Sequence, residues 1–333
     1  MAQQPKDTDA VLGGRNTPQR GLVLGGIQGV KQRLQAPNEE ARAEALYQAL
    51  NYGEEGLALV IASLTDKSLK VSNTAYELLL KQPNPSKELK VAIDNYHPLL
   101  PMVYIPGGSF LMGAPETEER SIDWERPQHR VEIAPFYMGR YPVTQAQYQA
   151  VMGENPSRFK GENNPVERVS WHKAKEFCQK LSEQTGKTYR LPSEAQWEYA
   201  CRAGTTTPFY FGETISTDQA NYNGNSTYGN GKRGVYRGQT TPVGSFPPNA
   251  FGLYDMHGNV WEWCEDIWHK NYEGAPDDGS AWVAGGNHNK RVLRGGSWAV
   301  NPWGCRCADR YRVNPDHGNF NGFRVVSSSV RTL

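Results

Sequence analysis

"PVGSFPPNAFGLYDMHGNVWEWCED" runs from Pro242 to Asp266. Its first half is Pro, Gly and Asn punctuation without periodicity. Its second half opens on Gly258 and Asn259, after which Val260, Glu262 and Cys264 alternate with Trp261 and Trp263. A Gly-Asn turn followed by a period of two signals a strand. Two tryptophans on one strand face fill a core if their indole N–H groups find buried acceptors. The stretch therefore predicts an aromatic-rich strand fed by a long loop.

Moving toward the N-terminus, "LPSEAQWEYACRAG" (191–204) reads as a helix. Pro192 lies in its first turn, Ser193 and Glu194 near its start, and Gly204 beyond its end. Trp171 to Thr185 is a second helix, with Ser170 as its cap. Thr144 opens a third, "QAQYQAVMG". "MVYIPGGSFLMG" (102–113) predicts a hairpin turning at Gly107-Gly108, and "HRVEIAPFYMGRYPVT" (129–144) a second alternating stretch. Beyond Gly204 helical periodicity almost vanishes. Helices in the first half and strands and loops in the second give an α+β domain over residues 101–330.

Upstream the texture is different. Residues 1–25 are aperiodic and rich in Gly, Gln, Asp and Pro, which predicts a flexible lead-in. Residues 26–98 carry amphipathic helices: Ala41, Ala45, Leu46, Ala49 and Leu50 share one face, capped by Asn38. Leu57, Val60, Ile61 and Leu64 share the next, and a third runs from Asp66 to Leu80 with Val71, Ala75, Leu78 and Leu79 inward. Three short helices joined by tight turns suggest a HEAT-like module that packs on a partner protein; a plain helical bundle is the alternative.

Lys and Arg number 36 against 35 Asp and Glu, with no charge block, which argues against a nucleic-acid or anionic-membrane partner. No window approaches the length of a membrane span and no signal-peptide core is visible, so cytoplasmic residence is the expectation. The five cysteines do not suggest a disulfide scaffold. Nine Trp, 17 Tyr and 34 Gly point to a body held by ring packing between glycine-rich loops.

Seven motifs in order carry a resemblance: "IPGGSFLMG" (105–113), "YPVTQAQY" (141–148), "NPVERVSW" (164–171), "RLPSEAQWEYACRAG" (190–204), the 242–266 stretch, "LRGGSW" (293–298) and "GFRVV" (322–326). Together they resemble the formylglycine-generating-enzyme (sulfatase-modifying factor) domain, which implies a C-type lectin fold. That family's oxidases use a cysteine pair after "GGS", whose thiolates bind Cu(I). The position matching the first cysteine is Val300, and Cys305 falls out of register with the second. The resemblance thus implies no copper and no catalytic residue. It also implies that Cys307 neighbours Cys201, while Cys178 faces Val325 in place of a partner. A three-histidine iron site, as in a related branch, is not suggested by the seven histidines, which read as surface or loop residues. The family's calcium positions match Asp255, Gly258, Val260 and Glu262, the glycine and valine through their carbonyls, which implies a structural Ca²⁺. Glu262 paired with a core arginine is the alternative. At a second calcium position Asn221 and Tyr222 match, but Val235 replaces the acidic ligand.

The segment from Arg294 to Val326 has a further pattern. Landmarks such as Arg306, Arg310 and Arg312 interleave with Ala299, Val300, Asn301, Trp303, Gly304, Asp309, Tyr311, Val313, Asn314, His317, Gly318, Asn319, Phe320 and Asn321. No Lys, Glu, Gln or Met occurs in the second set. This is similar to the variable region of diversity-generating retroelement proteins, in which Asn codons are randomised at their adenines; Trp303 needs a different codon. The resemblance implies a non-catalytic ligand-binding protein, its variable ligand a protein or other macromolecule. The alternative is a copper-dependent formylglycine-generating or related oxidase. Tyr311, Trp303 and Phe320 supply rigid apolar area, and Asn and Gly adaptable hydrogen bonding, as in paratopes. The arginines, on the opposite side of an extended run, would hold the backbone.

Overall fold

The computed structural model describes residues 25–66, 68–83, 85, 86, 88, 89, 92, 93 and 100–328. The flexible lead-in expected over residues 1–25 lies almost wholly outside the described residues. Two compact units divide the chain, Met1–Pro101 and Met102–Leu333.

In the first unit four α-helices are described where periodicity predicts three: α1 (Gly26–Leu34), α2 (Glu39–Ala49), α3 (Gly53–Ala62) and α4 (Leu69–Leu80). The unpredicted helix α1 buries only Ile27 and Val30 among its apolar side chains, too sparse a pattern to stand out. Asn38 caps α2, its side chain accepting from the Glu40 amide. Ser68 caps α4, which starts at Leu69 rather than at Asp66. Asp66 instead pairs with the buried Arg42 through two hydrogen bonds of 3.0 Å. Leu46, Val60, Val71, Ala75 and Leu79 form the core of this unit. Among the described residues no helix is long and apolar enough to cross a membrane.

The second unit is α+β. Strands β1 (Met102–Ile105), β4 (Phe136–Gly139), β10 (Val326–Ser328) and β5 (Tyr189–Arg190) form one sheet in the order β1-β4-β10-β5. Strands β2 (Gly108–Met112) and β3 (His129–Ile133) form a pair. Strands β8 (Arg310–Val313), β7 (Asn287–Arg294), β6 (Trp261–Trp268) and β9 (Asn321–Gly322) form the third sheet in that order. The hairpin expected over 102–113 does not form, because β1 pairs with β4 and β2 with β3. Gly107 marks the parting: a Cβ there would lie 2.9 Å from the Ile133 carbonyl oxygen and from Pro135.

The three helices fall as their caps indicate. α5 (Gln145–Met152) starts with a Thr144–Gln147 capping box, α6 (Trp171–Thr185) at Ser170, and α7 (Glu194–Arg202) with a Ser193–Gln196 capping box. Pro192 precedes the α7 cap and is not in its first turn; its carbonyl accepts from the Glu265 amide. Strand β6 is covered on both faces, so its alternation separates two buried sets rather than inside from outside. The Trp263 indole donates to the Val169 carbonyl at 2.8 Å, and Trp171 to that of Cys264 at 2.9 Å.

Candidate functional site

Strand β8 pairs with β7 so that Leu293 faces Tyr311 and Arg294 faces Arg310. The pleat turns alternate side chains of β8 to opposite sides. Arg310 goes inward and meets both oxygens of Glu194 at 2.8 and 2.6 Å. Arg312 lays its guanidinium 4.0 Å from the Trp124 ring and 4.5 Å from that of Trp268. Tyr311, 46 % exposed, stacks on Trp261 with centroids 5.4 Å apart. Arg306, on the turn before β8, grips Glu125 at 2.7 and 2.8 Å and Glu118 at 2.6 Å. Buried arginines thus fasten this segment from beneath through charge-assisted hydrogen bonds.

Between β8, the 299–304 turn and the 317–321 turn opens a cleft of about 670 Å³. Eleven of the fourteen interleaved residues singled out above line it. Ala299, Val300, Trp303 and Gly304 form one wall, Tyr311 and Val313 the floor strand, and His317, Asn319, Phe320 and Asn321 the other wall, with Asp309 between. Trp124, Ile122 and Arg120, from a segment that sequence inspection did not single out, complete the rim. The Arg120 guanidinium lies 5.1 Å from the Trp303 ring centroid. Phe320 meets Trp298 edge-on at 5.0 Å. The remaining three residues are not in the lining. Asn301 accepts from the Asn223 side chain at 3.3 Å, and Asn314 from the Asp316 amide at 2.9 Å. A Cβ on Gly318 would meet the Arg168 carbonyl oxygen at 2.7 Å.

The turn that presents this wall depends on Gly295 and Gly296, with φ of 90° and 76°. A Cβ on Gly296 would sit 2.5 Å from the Cys305 sulfur. Cys305 is therefore sealed beneath the turn, and burial pushes its thiol well above the ordinary range. With Val300 at the other position offering no ligand atom, the family's copper pair does not fit here.

Cys201 and Cys307 are buried with their sulfurs 3.6 Å apart, and the Cys201 sulfur lies 4.0 Å from His257 Nδ1. His257 lies in a loop but not at the surface: it is 1 % exposed and packed on Phe209 and Tyr210. Nothing in its local sequence marks it as core; His97 lies outside the described residues. Cys201, His257 and Cys307 are close enough to hold a metal ion. Both imidazole nitrogens are already engaged, however: Nδ1 lies 2.7 Å from the Cys305 carbonyl and Nε2 accepts the Tyr210 amide at 3.1 Å. A ring so satisfied is a structural group.

At two of the four calcium positions the carboxylates already have protein partners. Glu262 receives Arg324 Nε at 2.6 Å and Nη2 at 2.7 Å, and the Trp197 indole at 2.7 Å. A bound guanidinium repels a second cation at the same carboxylate. Asp255 accepts from the Gly244 amide at 2.7 Å and the Asn259 side chain at 3.3 Å, and burial lifts its carboxyl to about 6. Gly258 donates its amide to the Gly295 carbonyl, and Val260 is core. The core arginine pair expected as the alternative at Glu262 is present, with Arg324 as its partner.

This fold and cleft define a sulfatase-modifying-factor type of domain. The chain belongs to the sulfatase-modifying factor enzyme 1-like domain family, whose model matches residues 91–329. It is 32 % identical over 316 residues to the serine/threonine-protein kinase pkn1 of Chlamydia caviae, a match covering 85 % of this chain and 47 % of that protein. The chain thus spans about half the length of that relative. Among solved structures, PvdO from Pseudomonas aeruginosa is 39 % identical with a TM-score of 0.60, covering 68 % of this chain and 94 % of that one. Treponema denticola variable protein 1 is 28 % identical with a TM-score of 0.57, at the same coverages.

Proposed function

We propose that this chain is a non-catalytic ligand-binding protein that displays diversified residues on a scaffold of the C-type lectin type. The observation that carries the reading is the convergence of eleven interleaved residues on one cleft while Arg306 and Arg310 between them are buried in ion pairs. Similarity to a solved variable protein supports it, and so does the loss of the cysteine pair at Val300 and Cys305. The ligand is a macromolecule read by aromatic and amide side chains; no calcium or copper takes part, and the helices of residues 26–98 serve a separate protein contact.

The test is sequencing of the surrounding locus. A near-copy of the 294–326 coding segment with Asn codons at the interleaved positions, beside a reverse-transcriptase gene, is the expected result; its absence removes diversification from the reading. The rival oxidase reading rests on family membership and predicts copper-dependent oxygen consumption with a cysteine-containing peptide.

A further inference from the structure

The buried charges around the cleft are unevenly matched. Arg202, Arg294, Arg306 and Arg310 make ion-pair contacts with Glu118, Glu125, Glu194, Glu198 and Asp309, four guanidinium groups against five carboxylates. Arg306 alone faces three of them. Glu125 and Glu118 take its hydrogen bonds, and Asp309 is left with a 3.6 Å approach. Asp309 is also the one carboxylate of the five that lines the cleft. Burial, with Glu125 and Glu118 nearby, holds its carboxyl up at about 7, partly offset by Arg306 and Arg294. A carboxylate so placed lacks a full counter-charge, and the missing partner has one open direction of approach, the cleft.

The aromatic lining indicates the shape of that partner. Flat cations stack well on ring faces, guanidinium better than ammonium. The rim already holds one such contact, Arg120 over Trp303, and outside the lining Arg312 packs over the rim residue Trp124. The stacked Tyr311–Trp261 pair presents a further ring with Tyr311 open to solvent. We infer that the cleft takes an arginine side chain of a partner protein, its guanidinium stacked against the aromatic lining and paired with Asp309. Arg120, which bears the same group and has no carboxylate partner among the described contacts, competes for this place from the rim. The inference rests on the reading of the cleft as a recognition surface and adds the charge and shape of what it recognises.

The probe is Nα-acetyl-arginine methylamide, titrated into the whole chain at low salt with tryptophan fluorescence and NMR as readouts. The neutral citrulline analogue is the control. Saturable binding of the arginine probe, at least about tenfold tighter than citrulline (some 1.4 kcal/mol), is expected. Asp309→Asn should bring the two probes together, and Arg120→Ala should tighten the arginine probe several-fold. Equal affinity for both probes, or an arginine affinity untouched by Asp309→Asn in a folded variant, overturns charge recognition while leaving the cleft as a binding surface. No saturable response to the arginine probe overturns the inference outright, whereas the function reading stands or falls on the locus.

Discussion

Arg324 lies against Glu262 with both members fully buried, two parallel N–H groups meeting two carboxylate oxygens at 2.6 and 2.7 Å. This pair joins the segment between β9 and β10 to the start of β6. Removing one member strands the other in the core. Arg324→Ala should cost about 3–5 kcal/mol in urea unfolding, more than a double replacement by apolar residues.

The same pair predicts indifference to divalent metal. Adding calcium or a chelator should leave the melting temperature unchanged. A calcium-dependent rise would show that Glu262 exchanges its guanidinium for the ion.

Asp309 sets a pH dependence of definite sign. Its carboxyl is held near 7 in the folded chain, mainly by burial, against 3.8 for an exposed one. The folded state therefore binds the proton more tightly, and the contribution to stability is complete below pH 3.8 and lost as pH rises toward 7. Asp309→Asn should flatten the fall in melting temperature across that window, with the wild-type curve as reference.

Much of this was legible in the chain. Ser170, Thr144 and Ser193 marked their helix starts because a cap is a local hydrogen bond. The "GNVWEW" alternation marked β6 although both faces proved buried. Strand partnership was not legible: β1 and β2 adjoin in sequence but belong to different sheets, a choice made by β3 and β4 and by the close approach at Gly107. In the site, the interleaved pattern named both walls and the floor strand of the cleft. Arg120, Ile122 and Trp124 arrive from a distant loop, and no spacing in the sequence ties them to residues 299–321.

Gly296 should tolerate no side chain. Its φ of 76° and the Cys305 sulfur 2.5 Å from a Cβ combine backbone strain with a clash. Gly296→Ala should cost more than about 2 kcal/mol, and Cys305 should become reactive toward a thiol reagent as the turn opens.

Tyr311→Ala, by contrast, should change unfolding free energy by less than about 1 kcal/mol, since the ring is half exposed. It should abolish capture of whatever macromolecule the cleft binds. A large stability loss would mean that the Tyr311–Trp261 stack belongs to the core.

The turn before β8 holds an exception to this division between fastening and display. A Cβ on Gly304 would come within 2.4 Å of the Val300 Cγ1, so these two lining positions share one volume. A larger residue at 304 requires a smaller one at 300, and each change alone misrepresents the pair. Across natural versions of this chain the two sites should covary in size, whereas Tyr311 and Asn319 should vary independently.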